Sequence, residues 1–272
     1  MDIFFVNGNP FFHTISRKIQ FRTVVPITTR TKASLATEAK AILNLYTTRG
    51  FTIPDIHADS EFACIRKKIL PSHLNVTNPD DHVPEVERSI CTVKERIQAI
   101  THGLQFCRLP RILVRGITEH AVKALNQFPA KNGASDTVSP LTIMTGLPCP
   151  DYNKLTVELG TYCQVFEDND PTNTQKARET GAIALTPNGN THGGYYFMSL
   201  VTGKRISRKR WDELPMPQAV INAVEAMGER ENQPLLTNGE PTFEWAPGTP
   251  IIGNDGLEMM ETKTILKMVT TR

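Results

Sequence analysis

The chain has 272 residues, enough for two domains of ordinary size that each bury a core without staples. Its five cysteines are odd in number, scattered and never spaced as CxxC, which argues against a disulfide framework or a structural zinc site and for a reducing compartment. The net charge of +2 hides an asymmetry: from Glu229 onward seven acids face four bases, so the tail carries −3 and residues 1–228 carry +5. A mildly basic body suits a DNA partner, without the strongly basic signature of a dedicated DNA-binding domain.

The opening segment, MDIFFVNGNPFF, has an apolar run but no basic leader, and Asn7-Gly8 interrupts it, so it reads as a strand and not a signal peptide. Strands are expected at residues 3–6, 11–16 and 19–27, an antiparallel meander. Between 31 and 49, Leu35, Ala39, Ile42, Leu43 and Tyr46 recur at helical spacing, with Gly50 as the stop. A short strand at 51–58 ends at Asp59, and a second helical pattern begins near His82, with Val86, Ile90, Val93, Ile97 and Ile100 as its apolar stripe. Three strands, helix, strand, helix suit an α/β layer with a mixed sheet, in which the strand after the first helix returns beside the first strand by a right-handed crossover. Asp2 and Asp59 would then meet at one sheet edge.

Two more helices are expected, at 110–128 and after Ser139-Pro140 up to Gly146, a Pro-in, Gly-out pattern. Beyond Pro150 short alternating runs at 157–166, 180–185, 195–200 and 205–207, broken by turn residues at 168–171 and 188–190, predict a small all-β barrel. A helix is expected at 217–227, and the remainder, low in periodicity, reads as linker. No segment is apolar and long enough to span a bilayer, and no internal repeat is present.

Metal-dependent phosphoryl transfer on DNA uses two divalent cations about 4 Å apart, and hard cations take carboxylates. Asp2 is the only acid before Glu38 and sits inside an apolar strand, where a solvated face explains it poorly. Asp59 stands at a strand end, where open α/β sheets place ligand-binding residues. On the second helix Glu87 lies beside the apolar stripe and shares a face with Cys91 and Lys94, whereas Glu85 and Glu95 read as solvated.

The segments MDIFFVNGNPFFHTISRKIQFRTV, FTIPDIHADSEF and HVPEVERSICTVKERI resemble the three acidic blocks of the retroviral-type integrase core in its copia-like retrotransposon form. LNQFPAKNGASDTVSPLTIMTG is similar to the segment after that core, and LGTYCQVFEDND through GKRISRKRW to the SH3-like barrel that follows it. The resemblance covers roughly residues 1–212, and its ordered blocks are more specific than any one of them. It implies an RNase H-like catalytic core over 1–130, a connecting segment over 131–155, the barrel over 156–212, and a helix with an acidic flexible tail over 213–272 of a Pol polyprotein fragment. It further implies Asp2, Asp59 and Glu87 as catalytic residues and ligands of two Mg²⁺ or Mn²⁺ ions, and Lys94 as a DNA contact. DNA is the implied partner, with homo-oligomerisation; the activity is 3′-end processing and strand transfer, and the compartment is the nucleus. Departures from the family pattern are the short reach upstream of Asp2, the missing zinc-binding module, the short gap between Asp59 and Glu87, and Cys91 where relatives carry a base.

Plainer readings stand beside these. A lone Asp at a strand end is a common cap or turn former. The run Lys204, Arg205, Arg208, Lys209 and Arg210, closed by Trp211, reads as a nucleic-acid contact or as a charged edge that deters strand pairing. His57, His82 and His102 lack ligand spacing, and Cys91 lacks a His partner to activate it. The rival functions are an inactive transposon relic that binds nucleic acid through Arg66, Lys67, Lys68, Lys94 and the 204–210 run, and an RNase H-like nuclease without joining activity.

Overall fold

The computed structural model describes residues 1–77, 83–147, 156–167, 177–189, 193–246 and 249–250. The first expectation it meets is the meander: β1 (Asp2–Val6), β2 (Asn9–Ile15) and β3 (Arg22–Pro26) are antiparallel neighbours. Asn7 and Gly8 both take positive φ, 49° and 72°, the conformation that a tight hairpin turn demands and that Asn-Gly supplies at low cost. Helix α1 (Lys32–Thr47) is capped by the Thr31 side chain. After it come β4 (Asp55–Ala58), a 3₁₀ helix (Ser60–Lys68) and β5 (His73–Val76), a strand with no sequence signal of its own that pairs parallel with β4. Helices α2 (Pro84–His102), α3 (Arg111–Gln127) and α4 (Pro140–Thr145) follow. Ser139 caps α4, and Gly146 ends it at φ 68°, as the Pro-in, Gly-out pattern requires.

The apolar run of β1 is explained by burial on both faces. Phe4 and Val6 join Phe11 against α2 and α3, while Ile3 and Phe5 join Phe12 against α1, the 3₁₀ helix and the β4–β5 pair. The result is helices on both sides of a sheet. No helix among the described residues is long and apolar enough to cross a membrane.

The second sheet corrects the barrel expectation. β6 (Tyr162–Phe166), β7 (Glu179–Pro187), β8 (Tyr195–Ser199), β9 (Arg205–Arg208) and β10 (Trp211–Glu213) form one antiparallel sheet in the order β10-β6-β7-β8-β9, and the described residues show no closed barrel. Closure is unnecessary because something else covers each face. Ile183, Leu185 and Met198 pack in the same core as α2 and α3, and Gly116 on α3 has no Cβ, which would meet Leu185 Cδ2 at 2.9 Å. The opposite face is filled by Tyr195, Phe197 and Trp211, whose rings lie 5.0 to 6.4 Å apart.

The expected helix at 217–227 is present, and part of the stretch read as linker is a strand, while residues 251–272 lie outside the described residues. Helix α5 (Gln218–Arg230) packs Val220, Val224 and Met227 into the main core. Strand β11 (Phe243–Ala246) then pairs antiparallel with β1, Phe5 opposite Glu244 and Val6 opposite Phe243, and β12 (Thr249–Pro250) pairs with β11. Asn7 fixes the register: its N–H donates to Thr242 O and its Oδ1 accepts from Thr242 N–H, both at 2.8 Å. The cause is an unpaired β1 edge, whose N–H and C=O groups require partners. Composition gave no sign of it, since the pairing spans over 230 residues of sequence.

At Gly160 a positive φ and a close approach coincide. Gly160 has φ +91°, and a Cβ there would stand 2.2 Å from Leu104 Cδ2. Gly160→Ala should therefore cost about 2 kcal/mol or more, from left-handed strain plus overpacking. A lowered urea midpoint at unchanged m value is the expected readout, and an unchanged midpoint would show that Leu104 swings clear at no cost.

Candidate active site and nucleic-acid interface

Asp2 opens β1 directly across from His13 on β2, and its Oδ1 accepts the Ile3 N–H at 2.7 Å. Burial raises its carboxyl to about 6; the Ile3 hydrogen bond and the Met1 amine pull it down, and Asp59 and Glu61 push it further up. Asp59 follows β4 and caps the 3₁₀ helix, Oδ1 accepting from Ser60 N–H at 2.6 Å. The Met1 amine donates to His57 O at 2.6 Å, which ties the start of β1 to β4. Asp2 and Asp59 thus share one electrostatic field, but not by the expected crossover within one sheet: β4 pairs with β5 in a sheet of its own, and the neighbours of β1 are β2 and β11, both antiparallel.

Glu61 is the member that sequence reasoning missed. It lies in the first turn of the 3₁₀ helix, two residues past Asp59, and is ion-paired with Arg30, whose guanidinium also sits 5.8 Å from the Phe5 ring centroid. An acid just after an N-cap was the available signal, but it reads equally as ordinary helix-dipole pairing.

Glu87 is half-buried in the first turn of α2. The charges acting on Asp2 include Asp59, Glu61 and the Met1 amine. Among the described residues no three His, Cys, Asp or Glu side chains stand close enough to hold one metal ion. Asp2, Asp59 and Glu87 are not brought together into such a group. On α2, Val86, Ser89 and Ile90 are buried, and Ser89 Oγ lies between His13 Nε2 at 2.9 Å and Arg22 Nε at 3.1 Å, which ties the helix to β2 and β3.

Beside these strand ends lies a cavity of about 430 Å³ lined by Arg17, His57, Thr77, Val83, Pro84, Glu85 and Arg88. Arg17 and Glu85 close one side of it with a 2.7 Å ion pair. None of the three carboxylates lines it. His82 lies outside the described residues, as do Cys149 and the turn at 168–171.

Comparison with known proteins follows from this geometry. No family model matches the chain, and no curated protein matches it. Among solved structures, the catalytic core domain of BIV integrase aligns at 18% identity and a TM-score of 0.39, covering 54% of this chain and 91% of that one. A chain in the simian T-cell lymphotropic virus intasome, solved with PP2A regulatory subunit B56 gamma, aligns at 9% identity and a TM-score of 0.31, covering 77% and 76%. Likeness at this level carries no argument about what this chain does.

The basic residues fall in different settings. Lys94 sits with its Nζ 5.7 Å from the centroid of the Phe243 ring, so β11 lies against the face of α2 that sequence reasoning gave to DNA. Gln98, one turn on, donates to Glu240 Oε2 at 3.1 Å, and His102 pairs with Glu240 at 3.4 Å. Lys204, Arg205, Lys209 and Arg210 are exposed and Arg208 is half-buried; Arg210 stacks over Phe166 at 4.9 Å. Arg66, Lys67 and Lys68 are exposed at the end of the 3₁₀ helix. Trp211 is not available to stack on a base, because it packs on Tyr195 and Phe197. The Cys91 thiol is raised by burial, against Lys94, which fits a plain helix residue and not a nucleophile.

Proposed function

We propose that the chain is the integrase part of a copia-type retrotransposon Pol polyprotein, an RNase H-like core followed by a β-module, acting in DNA integration by 3′-end processing and strand transfer. The observation that carries the reading is the half-buried Asp2 carboxyl, raised to about 6 first by desolvation and then by Asp59 and Glu61 at the adjoining strand end. Folding has placed like charges in one field, an arrangement that costs stability and that functional sites characteristically show. The order of elements, meander, α1, parallel β4–β5, α2, supports the RNase H-like core, and the ordered sequence blocks support the family. In this reading Asp2, Asp59 and Glu87 serve Mg²⁺ or Mn²⁺, DNA is the substrate, the protein works as an oligomer in the nucleus, and Glu87 must join the Asp2 and Asp59 pair.

A second reading has its own observation. Among the described residues no three-ligand group exists, which favours a relic that binds nucleic acid without cutting it. A Mn²⁺-dependent assay with labelled duplex ends separates the two. Joined product from the natural chain and none from Asp59→Asn is the expected result; no product from either chain establishes the relic, and nicked ends without joining establish a nuclease.

A further inference from the structure

Between α3 and the second sheet lies a cavity of about 240 Å³, lined by Arg115 and Glu119 on α3, Thr186 on β7, and Tyr196 and Arg205 on β8 and β9, among others. Arg115 is half-buried, its Nε is buried, and among the described residues its guanidinium has no hydrogen-bond or ion-pair partner. A guanidinium cannot shed its proton, so the part of it that is withdrawn from water is best met by an anion. Arg205 lies over Tyr196, its guanidinium carbon 4.6 Å from the ring centroid, and both residues line the cavity. Lys123, two helical turns beyond Arg115, reaches Thr186 Oγ1 at 3.3 Å. The one acid lining the cavity is Glu119, whose contact with Arg205 is long at 3.9 Å. Three cations around one carboxylate leave a net charge near +2.

We infer that this cleft binds a phosphodiester of nucleic-acid backbone, with Arg115 and Arg205 as forked donors, Lys123 as a point charge and the Thr186 hydroxyl as a neutral partner. The geometry suits a phosphate because guanidinium forks match its oxygens in pairs. Backbone and not base is read, since the lining offers donors and charge with one aromatic already covered by Arg205. The site joins α3 to the second sheet, so backbone bound there contacts both at once. The inference rests on the nucleic-acid reading above only for the class of ligand, and needs no working carboxylates.

The test uses the full chain with a fluorescent random-sequence duplex, titrated with salt in EDTA so that no metal-dependent step contributes. Each neutralised phosphate gives a slope of about −0.9 in log K against log salt. Arg115→Gln should flatten the slope by about one such contact and weaken binding several-fold at low salt, Arg115→Lys should restore much of the slope, and Glu119→Gln should tighten binding. Thermal melts of each variant identify any that fails to fold, and Glu119→Gln, which removes only a charge, then carries the decision. An unchanged slope and affinity in folded variants overturns the inference. So does an Arg115-dependent stabilisation by inorganic phosphate with duplex binding unaltered, because the occupant is then a free anion. Loss of strand transfer with these slopes intact would strike the proposed activity and leave the cleft standing.

Discussion

Asp2→Asn should stabilise the fold by about 2–3 kcal/mol at pH 7 and by nothing at pH 4. The Asp2 carboxyl is raised from 3.8 to about 6, first by burial and then by Asp59 and Glu61. Between those values the folded chain holds a proton that the unfolded chain has released, so stability falls as pH rises through the window. The penalty is absent below 3.8 and complete above about 6. At about 1.4 kcal/mol per pH unit the shift corresponds to about 3 kcal/mol, reduced somewhat because the residue is not fully enclosed. Asparagine keeps an oxygen for the Ile3 N–H and removes the charge. Urea midpoints of both chains at pH 7 and pH 4 measure the difference. A neutral or destabilising effect at pH 7 would mean that the ionised carboxyl is well solvated where it stands. A gain in stability joined to a loss of strand transfer would mark Asp2 as held for its chemistry.

The local code was readable wherever one short stretch decides the outcome. Asn7-Gly8 sets a hairpin, Ser139-Pro140 and Gly146 bracket α4, and the stripe from Val86 to Ile97 buries as one face of α2. β5 was missed because four residues carry too little periodicity, and parallel pairing with β4 holds them in place. The open second sheet was misread as a barrel because alternation reports that a face is buried, not what buries it. Here α3 covers one face and three aromatic rings fill the other.

The candidate site divides along the same line. Asp59 as a strand-end acid and Asp2 as an acid among apolar residues were both legible, but the sheet pairing was not: β4 pairs with β5 in its own sheet, and the Met1 amine bonded to His57 O ties the start of β1 to it. Glu61 was not legible either, because its partner Arg30 and its effect on Asp2 are long-range. Where Glu87 stands depends on how α2 packs, and that is a matter of long-range contacts such as those of Ser89 with His13 and Arg22, three residues from three elements. Helical periodicity gives the relative angle of Glu87, Cys91 and Lys94, but not where that face points. β11 shows the consequence, placing Phe243 under Lys94.

His13 offers the sharpest check on the Ser89 contacts. Burial first, then the Met1 amine and Arg22, hold its imidazole down at about 3 from an ordinary 6.5. From pH 6.5 to 3 the unfolded chain therefore takes up a proton that the folded chain excludes, and stability falls with pH, by about 3 kcal/mol at pH 4. Asp2, its partner across the β1–β2 ladder, works in the opposite sense over nearly the same window, so in the natural chain the two effects largely cancel. His13→Gln breaks the balance. The glutamine amide can still meet Ser89 Oγ, the edge contact with Phe4 at 6.0 Å is lost, and the cost at pH 7 should be about 1–2 kcal/mol. Acidification from pH 6 to 4 should then raise the stability of the variant, whereas in Asp2→Asn it should lower stability steeply. Opposite slopes in the two single variants, read from urea midpoints at half-unit pH steps, are the expected result. Parallel gains on acidification in His13→Gln and the natural chain would mean that the imidazole charges inside the fold, with its Nε2–H donating to Ser89 Oγ.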